Sequence, residues 1–150
     1  MSVTTTRIDD HVAVVTVDAP PVNALTVAGW FELADAVRGA GADPGVHVVV
    51  LRAEGRGFNA GVDIKEIQAA SGYEALVGAN RGCYAAFAAV YDCAVPVVAA
   101  VHGHCLGGAS AWPATPTWWW PPTTRRSVCP RSNAERSARR RTWLAWFRRT

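Results

Sequence analysis

Short apolar runs and longer segments with helical spacing alternate along the first 110 residues of the chain. The runs at 11–17, 46–52 and 97–101 are rich in valine and nearly continuous in apolar residues, which predicts strands covered on both faces. Apolar residues at helical spacing predict one helix over 27–38 and a second over 73–91. This alternation indicates an α/β fold with a mainly parallel sheet.

Residues with capping chemistry mark the ends of these helices. Thr26 is placed to cap the first helix, and the glycines of 39–41 together with Asp43-Pro44-Gly45 are expected to end it and turn the chain. Ser71, with Glu74 three residues later, forms the pattern of a capping box for the second helix. Asp63, followed by helix-forming residues, indicates a further short helix between the two.

Two glycine-rich stretches, 54–66 and 102–108, follow the second and third predicted strands. The carboxyl ends of parallel strands meet at one edge of a sheet, which is where binding sites form. Two such loops side by side could aim two backbone N–H groups at one oxygen, and one such donor is typically worth ~3–4 kcal/mol in a transition state. The glycines alone favour ordinary strand-to-helix turns over such a site.

Other chemistry is weakly supported by the motifs. The glycines of 55–61 are spaced one residue wider than a dinucleotide fingerprint, and no Gly-Lys-Ser/Thr follows either loop. His102 and His104 flank Gly103, a pattern that we interpret as structural, so no metal site is expected. The four cysteines have no CxxC spacing, which favours free thiols in a reducing compartment and a cytoplasmic protein. The sequence contains no apolar run long enough to span a membrane, and we expect no membrane partner.

The charge of the chain is divided unevenly. Residues 1–110 carry 6 basic and 11 acidic side chains, whereas residues 111–150 carry 9 basic and 1 acidic. Six of the seven tryptophans also follow residue 110. We therefore expect a folded domain over 1–110 and an irregular, basic Trp/Arg-rich tail over 111–150, with at most one helix near 133–147. Arginines and tryptophans together are typical of nucleic-acid binding, but we favour a tail that is not an evolved segment, and hence no nucleic-acid partner.

Three stretches together resemble one known family, the enoyl-CoA hydratase/isomerase or crotonase family. Residues 58–66 read FNAGVDIKE and resemble FxAGxDIKE, and residues 96–108 read PVVAAVHGHCLGG and resemble PVIAAVNGxxxGGG. Residues 20–25 read PPVNAL and resemble P-x-x-NAL. The order and spacing also agree, over roughly residues 8–110.

The resemblance implies a truncated, crotonase-like α/β core of ββα units that binds acyl-CoA and stabilises a thioester enolate. It implies an oxyanion hole made of the backbone N–H groups of Val62 and Gly108. It implies no cofactor beyond the coenzyme A of the substrate. Family members form trimers or hexamers through a region that this chain lacks. The residues implied to bind the CoA thioester are Ala24, Ala60, Gly61, Asp63, Ile64, Lys65 and Gly107.

The resemblance also implies two catalytic glutamates that the chain does not contain. Their places are taken by Ala111 and by Pro130-Arg131, so an inactive remnant is an alternative to an active enzyme. Within the family, PPVNAL, LRAEGRGFNAGVDIKE, ANRGC and AVPV are similar to actinobacterial hydrolases that open a ring of a CoA-linked intermediate of sterol degradation. A ring-cleaving hydrolase is therefore a second alternative, for the full-length parent.

A shifted reading frame explains the unusual tail. In the shifted frame, each new codon joins the third base of one codon to the first two bases of the next codon. If third codon positions are G or C, the junctions within Trp118–Pro121 then encode Val-Val-Ala. The shifted tail then contains ADVVVAADDAAFGLPE, which resembles the continuation of the family. We hypothesise a one-base frameshift at about residues 109–111.

Overall fold

The structure is a computed structural model, and it describes residues 2–70, 72–107 and the backbone of 118–119. Two sheets and three helices make up this part of the chain. Their bounds are β1 (Ser2–Asp9), β2 (Val12–Asp18), β3 (Ala24–Leu25), α1 (Val27–Ala42), β4 (Val48–Ala53), β5 (Gly61–Val62), α2 (Ile64–Ala69), α3 (Glu74–Tyr91), β6 (Val97–Ala99) and β7 (Trp118–Trp119).

The larger sheet has the order β1-β2-β4-β6-β7. β1 pairs antiparallel with β2, and every other pair in this sheet is parallel. The small sheet pairs β3 with β5 in parallel, with Ala24 opposite Gly61 and Leu25 opposite Val62. The parallel strands β2, β4 and β6 therefore send their carboxyl ends, and the loops that follow them, to one edge.

The three predicted strands are confirmed as β2, β4 and β6 with bounds that differ by up to two residues, and the described residues add four that the sequence pattern did not predict, namely β1, β7 and the two-residue strands β3 and β5. β1 is an edge strand whose residues are exposed apart from Val3, so it lacks the alternation of apolar residues that marks a half-buried strand. β7 places Trp118 and Trp119 beside β6, although no strand was expected in the tail. The tail helix expected near 133–147 lies outside the described residues.

The helices largely follow the prediction. Thr26 caps α1, with its Oγ1 accepting the N–H of Gly29 at 3.1 Å. The expected end at about Arg38 is wrong, because α1 continues through the glycines to Ala42 and ends at Asp43, the first residue of the predicted Asp43-Pro44-Gly45 turn. A Cβ at Gly41 would overlap the Sγ of Cys93. The predicted cap at Ser71 is also wrong, because α3 has Tyr73 at its N-cap with no side-chain cap bond.

The core lies where α1 packs against the sheet and against α3. Trp30 is fully buried on α1 and meets Phe87 of α3 edge to face, with ring centroids 6.0 Å apart. Gly82 permits this approach, since a Cβ there would lie 2.8 Å from the Cβ of Trp30. The helix pair thus fixes α1 on the sheet, and α1 in turn fixes β3, which immediately precedes it.

Candidate functional site

Three loops emerge at the carboxyl edge of the parallel strands. They are 19–23 after β2, 54–60 after β4 and 100–107 after β6. Backbone bonds join the second and third loops, because the N–H of Phe58 donates to the carbonyl oxygens of His102 and His104 at 2.9 and 2.8 Å. The two glycine-rich stretches singled out by the sequence therefore lie side by side.

Val62 lies in β5 with its backbone N–H directed away from the neighbouring strand. The N–H of Asp63 donates to the Leu25 carbonyl at 2.8 Å, and the N–H of Gly61 donates to Oδ1 of Asn59 at 2.7 Å. Successive N–H groups of an extended strand point to opposite sides. The N–H of Val62, which lies between these two, consequently points away from β3.

The third loop comes down onto β5 from the other side. Leu106 donates its N–H to the Asn59 carbonyl at 2.9 Å, and Asn59 forms a bridge with Cys105. Gly107 has a φ of 60°, and a Cβ built on it would be 3.4 Å from the Cα of Gly61. The segment that leads to Gly108 therefore starts against β5, while Gly108 itself lies outside the described residues.

The short helix α2 begins at this same point of the chain. Asp63 caps it, with Oδ1 accepting the N–H of Lys65 at 2.9 Å, as predicted. Ile64 is 66% exposed, and Lys65 is exposed too, so both are accessible to a ligand. Glu66 holds the helix against the start of α1, because its Oε2 accepts the N–H of Val27 at 2.7 Å. Ala24 and Ala60, the remaining predicted contacts, are partly buried.

Asn23 organises the first loop, a role that sequence reasoning missed. It is 3% exposed and has a φ of 56°, a left-handed conformation that asparagine tolerates better than most residues. Its side chain accepts the N–H of Ala19 and donates to the carbonyls of Glu54 and Gly57 at 2.7 and 2.8 Å. Asn23 thereby joins the loops after β2 and β4, and its place in a Pro-x-x-Asn stretch was the available signal.

Asn59 was also missed as an organising residue. Its side chain is 1% exposed, and its Oδ1 accepts the N–H of Gly61. Its backbone bonds to His104 and Leu106 at the same time. Both asparagines satisfy backbone groups inside the loop cluster, which keeps β5 and the third loop in a fixed relation.

Features away from the loops do not add to this site. Within residues 2–70 and 72–107, no group of three or more His, Cys, Asp or Glu side chains is placed to hold a metal ion. Burial raises the pKa of the Cys83 thiol on α3, so this thiol stays protonated. A cavity of about 310 Å³ lies between the carboxyl ends of α1 and α3, lined in part by Arg38 and Cys93, at the opposite edge of the sheet from the loops. None of the described helices is long and apolar enough to cross a bilayer.

Sequence comparison relates the chain to one family of proteins. The profile of the enoyl-CoA hydratase/isomerase family matches residues 7–111. A (7aS)-7a-methyl-1,5-dioxo-2,3,5,6,7,7a-hexahydro-1H-indene-carboxyl-CoA hydrolase of Rhodococcus jostii is 70% identical over 108 residues, and the protein of the same name from Mycobacterium tuberculosis is 61% identical. The match covers 72% of this chain and 42% and 44% of these relatives.

Comparison of structures gives the same result. An enoyl-CoA hydratase of Mycobacterium smegmatis superposes with a TM-score of 0.69 at 30% identity, covering 75% of this chain and 44% of that one. An enoyl-CoA hydratase/carnitine racemase of Magnetospirillum magneticum gives a TM-score of 0.64 at 34% identity, with 71% and 41% covered. The predicted crotonase-like α/β core is therefore confirmed, although the chain spans less than half the length of these relatives. The chain belongs to the enoyl-CoA hydratase/isomerase family.

Proposed function

We propose that the chain binds acyl-CoA thioesters and polarises the thioester carbonyl with two backbone donors, the N–H groups of Val62 and Gly108. The observation that carries this proposal is the direction of the Val62 N–H, which points away from β3 while Gly107 packs against Gly61. Negative charge on the thioester oxygen grows as an enolate or a tetrahedral adduct forms. Two fixed donors stabilise that charge without reorganising.

The remaining residues of the proposed site surround this pair. Ala24 and Gly61 face each other across the small sheet, which supports a role for both in shaping the wall of the site. Ala60, Asp63, Ile64, Lys65 and Gly107 would contact the CoA portion of the substrate. No separate cofactor is required in this proposal, because coenzyme A arrives with the acyl group.

Turnover by the 150-residue chain is proposed to be slow. The family's two glutamates have no counterparts at Ala111 and Pro130-Arg131. General acid–base groups of this kind usually contribute about 10²–10⁴-fold to a rate. We therefore propose a chain that binds and polarises a thioester but moves protons poorly, in keeping with a truncated remnant.

A fused-ring acyl group is a second, narrower proposal for the substrate. The two hydrolases named above share 70% and 61% identity with this chain, whereas a probable enoyl-CoA hydratase of Bacillus subtilis shares 36%. The full-length parent is accordingly proposed to hydrolyse a ring of a bicyclic carboxyl-CoA. Tighter binding of such a CoA ester than of a straight-chain acyl-CoA would support this choice, and the reverse order would reject it.

The carbonyl-binding proposal is tested with two ligands that differ only at the proposed contact. An acyl-CoA thioester offers its carbonyl oxygen, and the matching CoA thioether has none. A net hydrogen bond is worth about 0.5–1.5 kcal/mol, so with two donors calorimetry should show the thioester binding roughly 5–150 times more tightly. Equal affinities for the two ligands would reject the proposal.

Substitutions at Val62 supply the matched control. Val62→Pro removes the backbone N–H, which the strand ladder does not use, and should lower the preference for the thioester by roughly 2–12-fold, because the second donor remains. Val62→Ala keeps the N–H and should retain the preference. Loss of the preference in both variants would show that the side chain, rather than the N–H, makes the contact.

Assembly, location and further partners stay predictions. The family's trimers or hexamers are proposed for the full-length parent rather than for this chain. A cytoplasmic location and the absence of a nucleic-acid partner are proposed on the sequence arguments given above. The oligomeric state would be measured by sedimentation of the 150-residue chain, compared with that of a full-length relative.

A further inference from the structure

His104 bonds the loops after β2, β4 and β6 to one another. Its Nε2–H donates to the carbonyl oxygen of Val22 in the loop after β2, at 3.0 Å. Its own carbonyl oxygen accepts the N–H groups of Phe58 and Asn59 in the loop after β4, at 2.8 and 3.2 Å. The loop after β6, which carries His104, is thereby bonded to both of its neighbours.

The imidazole of His104 also fills a space that glycine leaves open. A Cβ at Gly57 would overlap the His104 ring. At the preceding residue of the third loop, a Cβ at Gly103 would overlap the carbonyl oxygen of Arg56, and the φ of Gly103 is 55°. The two loops are therefore in close contact both at Gly103 and at the His104 ring, and a shift of His104 would move the backbone that leads to Gly107.

His102 provides a contrast two residues earlier in the same loop. Its Nε2–H donates to the carbonyl oxygen of Gly55 at 3.0 Å, so its side chain joins only the loops after β4 and β6. His104 alone of this pair reaches the loop that contains Asn23 and leads into β3. Because β3 pairs with β5, the reach of His104 connects the Gly107 segment to the strand that presents the Val62 N–H.

We propose that His104 is a positioning residue that holds the Gly107 segment against β5, the strand that presents the Val62 N–H; this inference rests on the proposed function. A donor acts on a developing oxyanion only when it lies about 2.7–3.1 Å from that oxygen. The imidazole, held between Val22 and Gly57, fixes the Gly107 segment against β5 within that tolerance. Its Nε2–H is the atom that matters, because the carbonyl of Val22 can only accept a hydrogen bond.

The matched variants His104→Gln and His104→Asn separate this role from simple packing. The glutamine amide places its N–H near the position of the imidazole Nε2–H, whereas the asparagine amide places it near Nδ1 and cannot reach Val22. Both side chains are polar, and both occupy part of the ring's space over Gly57. The readout is the ratio of thioester to thioether affinity in the 150-residue chain, measured by calorimetry with thermal unfolding as the check on folding.

His104→Gln should keep the ratio within about 2-fold of the wild-type value, and His104→Asn should lower it by roughly 2–12-fold while thioether affinity is unchanged. A loss of both affinities in parallel would indicate a merely structural residue and overturn the inference. An unchanged ratio in His104→Asn would also overturn it while leaving the proposed function intact. A wild-type ratio of one would overturn the proposed function and this inference together.

Discussion

A gene with one base restored at about codons 109–111 should encode a protein that turns over acyl-CoA about 10²–10⁴ times faster than the 150-residue chain. The restored frame contains an LPE glutamate, which supplies a proton-transfer group at the place now taken by Pro130-Arg131. It also replaces the Trp/Arg-rich tail with a sequence that resembles the family's continuation. The gain is measured as the steady-state rate with a bicyclic and a straight-chain acyl-CoA.

The frameshift hypothesis also makes a prediction for the segment at β7. Trp118 and Trp119 pair in parallel with Val98 and Ala99, continuing the sheet beyond β6. The shifted frame encodes Val-Val-Val-Ala at this same segment. Such a run is typical of a strand that is buried in a parallel sheet. The extent of the family match, which ends at residue 111, is in keeping with a change of frame at that point.

The restored protein carries its own control. Replacing the LPE glutamate by glutamine in the restored frame should return the rate to that of the 150-residue chain while the fold stays complete. Sequencing the gene across codons 105–115 shows whether a base is missing or extra. An intact frame with this same tail in closely homologous DNA would contradict the frameshift, and so would a restored protein no faster than the chain as it stands.

Trp30→Ala should lower the free energy of unfolding by about 3–5 kcal/mol, a large part of the 5–15 kcal/mol typical of a domain. Trp30 is fully buried where α1 and α3 approach most closely over Gly82, and its ring meets Phe87. The vacated volume cannot collapse easily, because the helix backbones are already in near contact. The loss is measured as the shift of the urea midpoint followed by far-UV circular dichroism.

Phe31→Ala is the matched control for this prediction. Phe31 follows Trp30 on the same helix but is 39% exposed, so its removal should cost well under half as much. Equal losses from the two substitutions would show that α1 does not pack through Trp30.

Helix caps and buried strands could be predicted from the sequence, because each depends on residues that are neighbours along the chain. Thr26 and Asp63 cap helices where expected, because a short polar side chain before a helix-forming run satisfies an unpaired backbone N–H. The strands β2, β4 and β6 could be predicted because a strand that is buried on both faces consists mainly of apolar residues. β1 could not be predicted, because an exposed edge strand does not need apolar residues.

Contacts between distant residues decide what the sequence pattern could not predict. α1 runs past its glycines because Gly41 packs against Cys93, some fifty residues later in the chain. The bonds of Asn23 to Gly57 and of His104 to Val22 span 34 and 82 residues. Glycine spacing predicted that two loops would meet, but the side chains that hold them together became visible only in the fold.

The amide resonance of Val62 tests the central proposal most directly. In a ¹H–¹⁵N spectrum of the labelled chain, addition of an acyl-CoA thioester should move this resonance downfield, because its N–H gains a carbonyl acceptor. The CoA thioether should leave it in place, and the Asp63 amide, already bonded to the Leu25 carbonyl, should not respond to either ligand. A Val62 resonance that is unmoved by the thioester, or moved equally by both ligands, would contradict an oxyanion-binding site at β5.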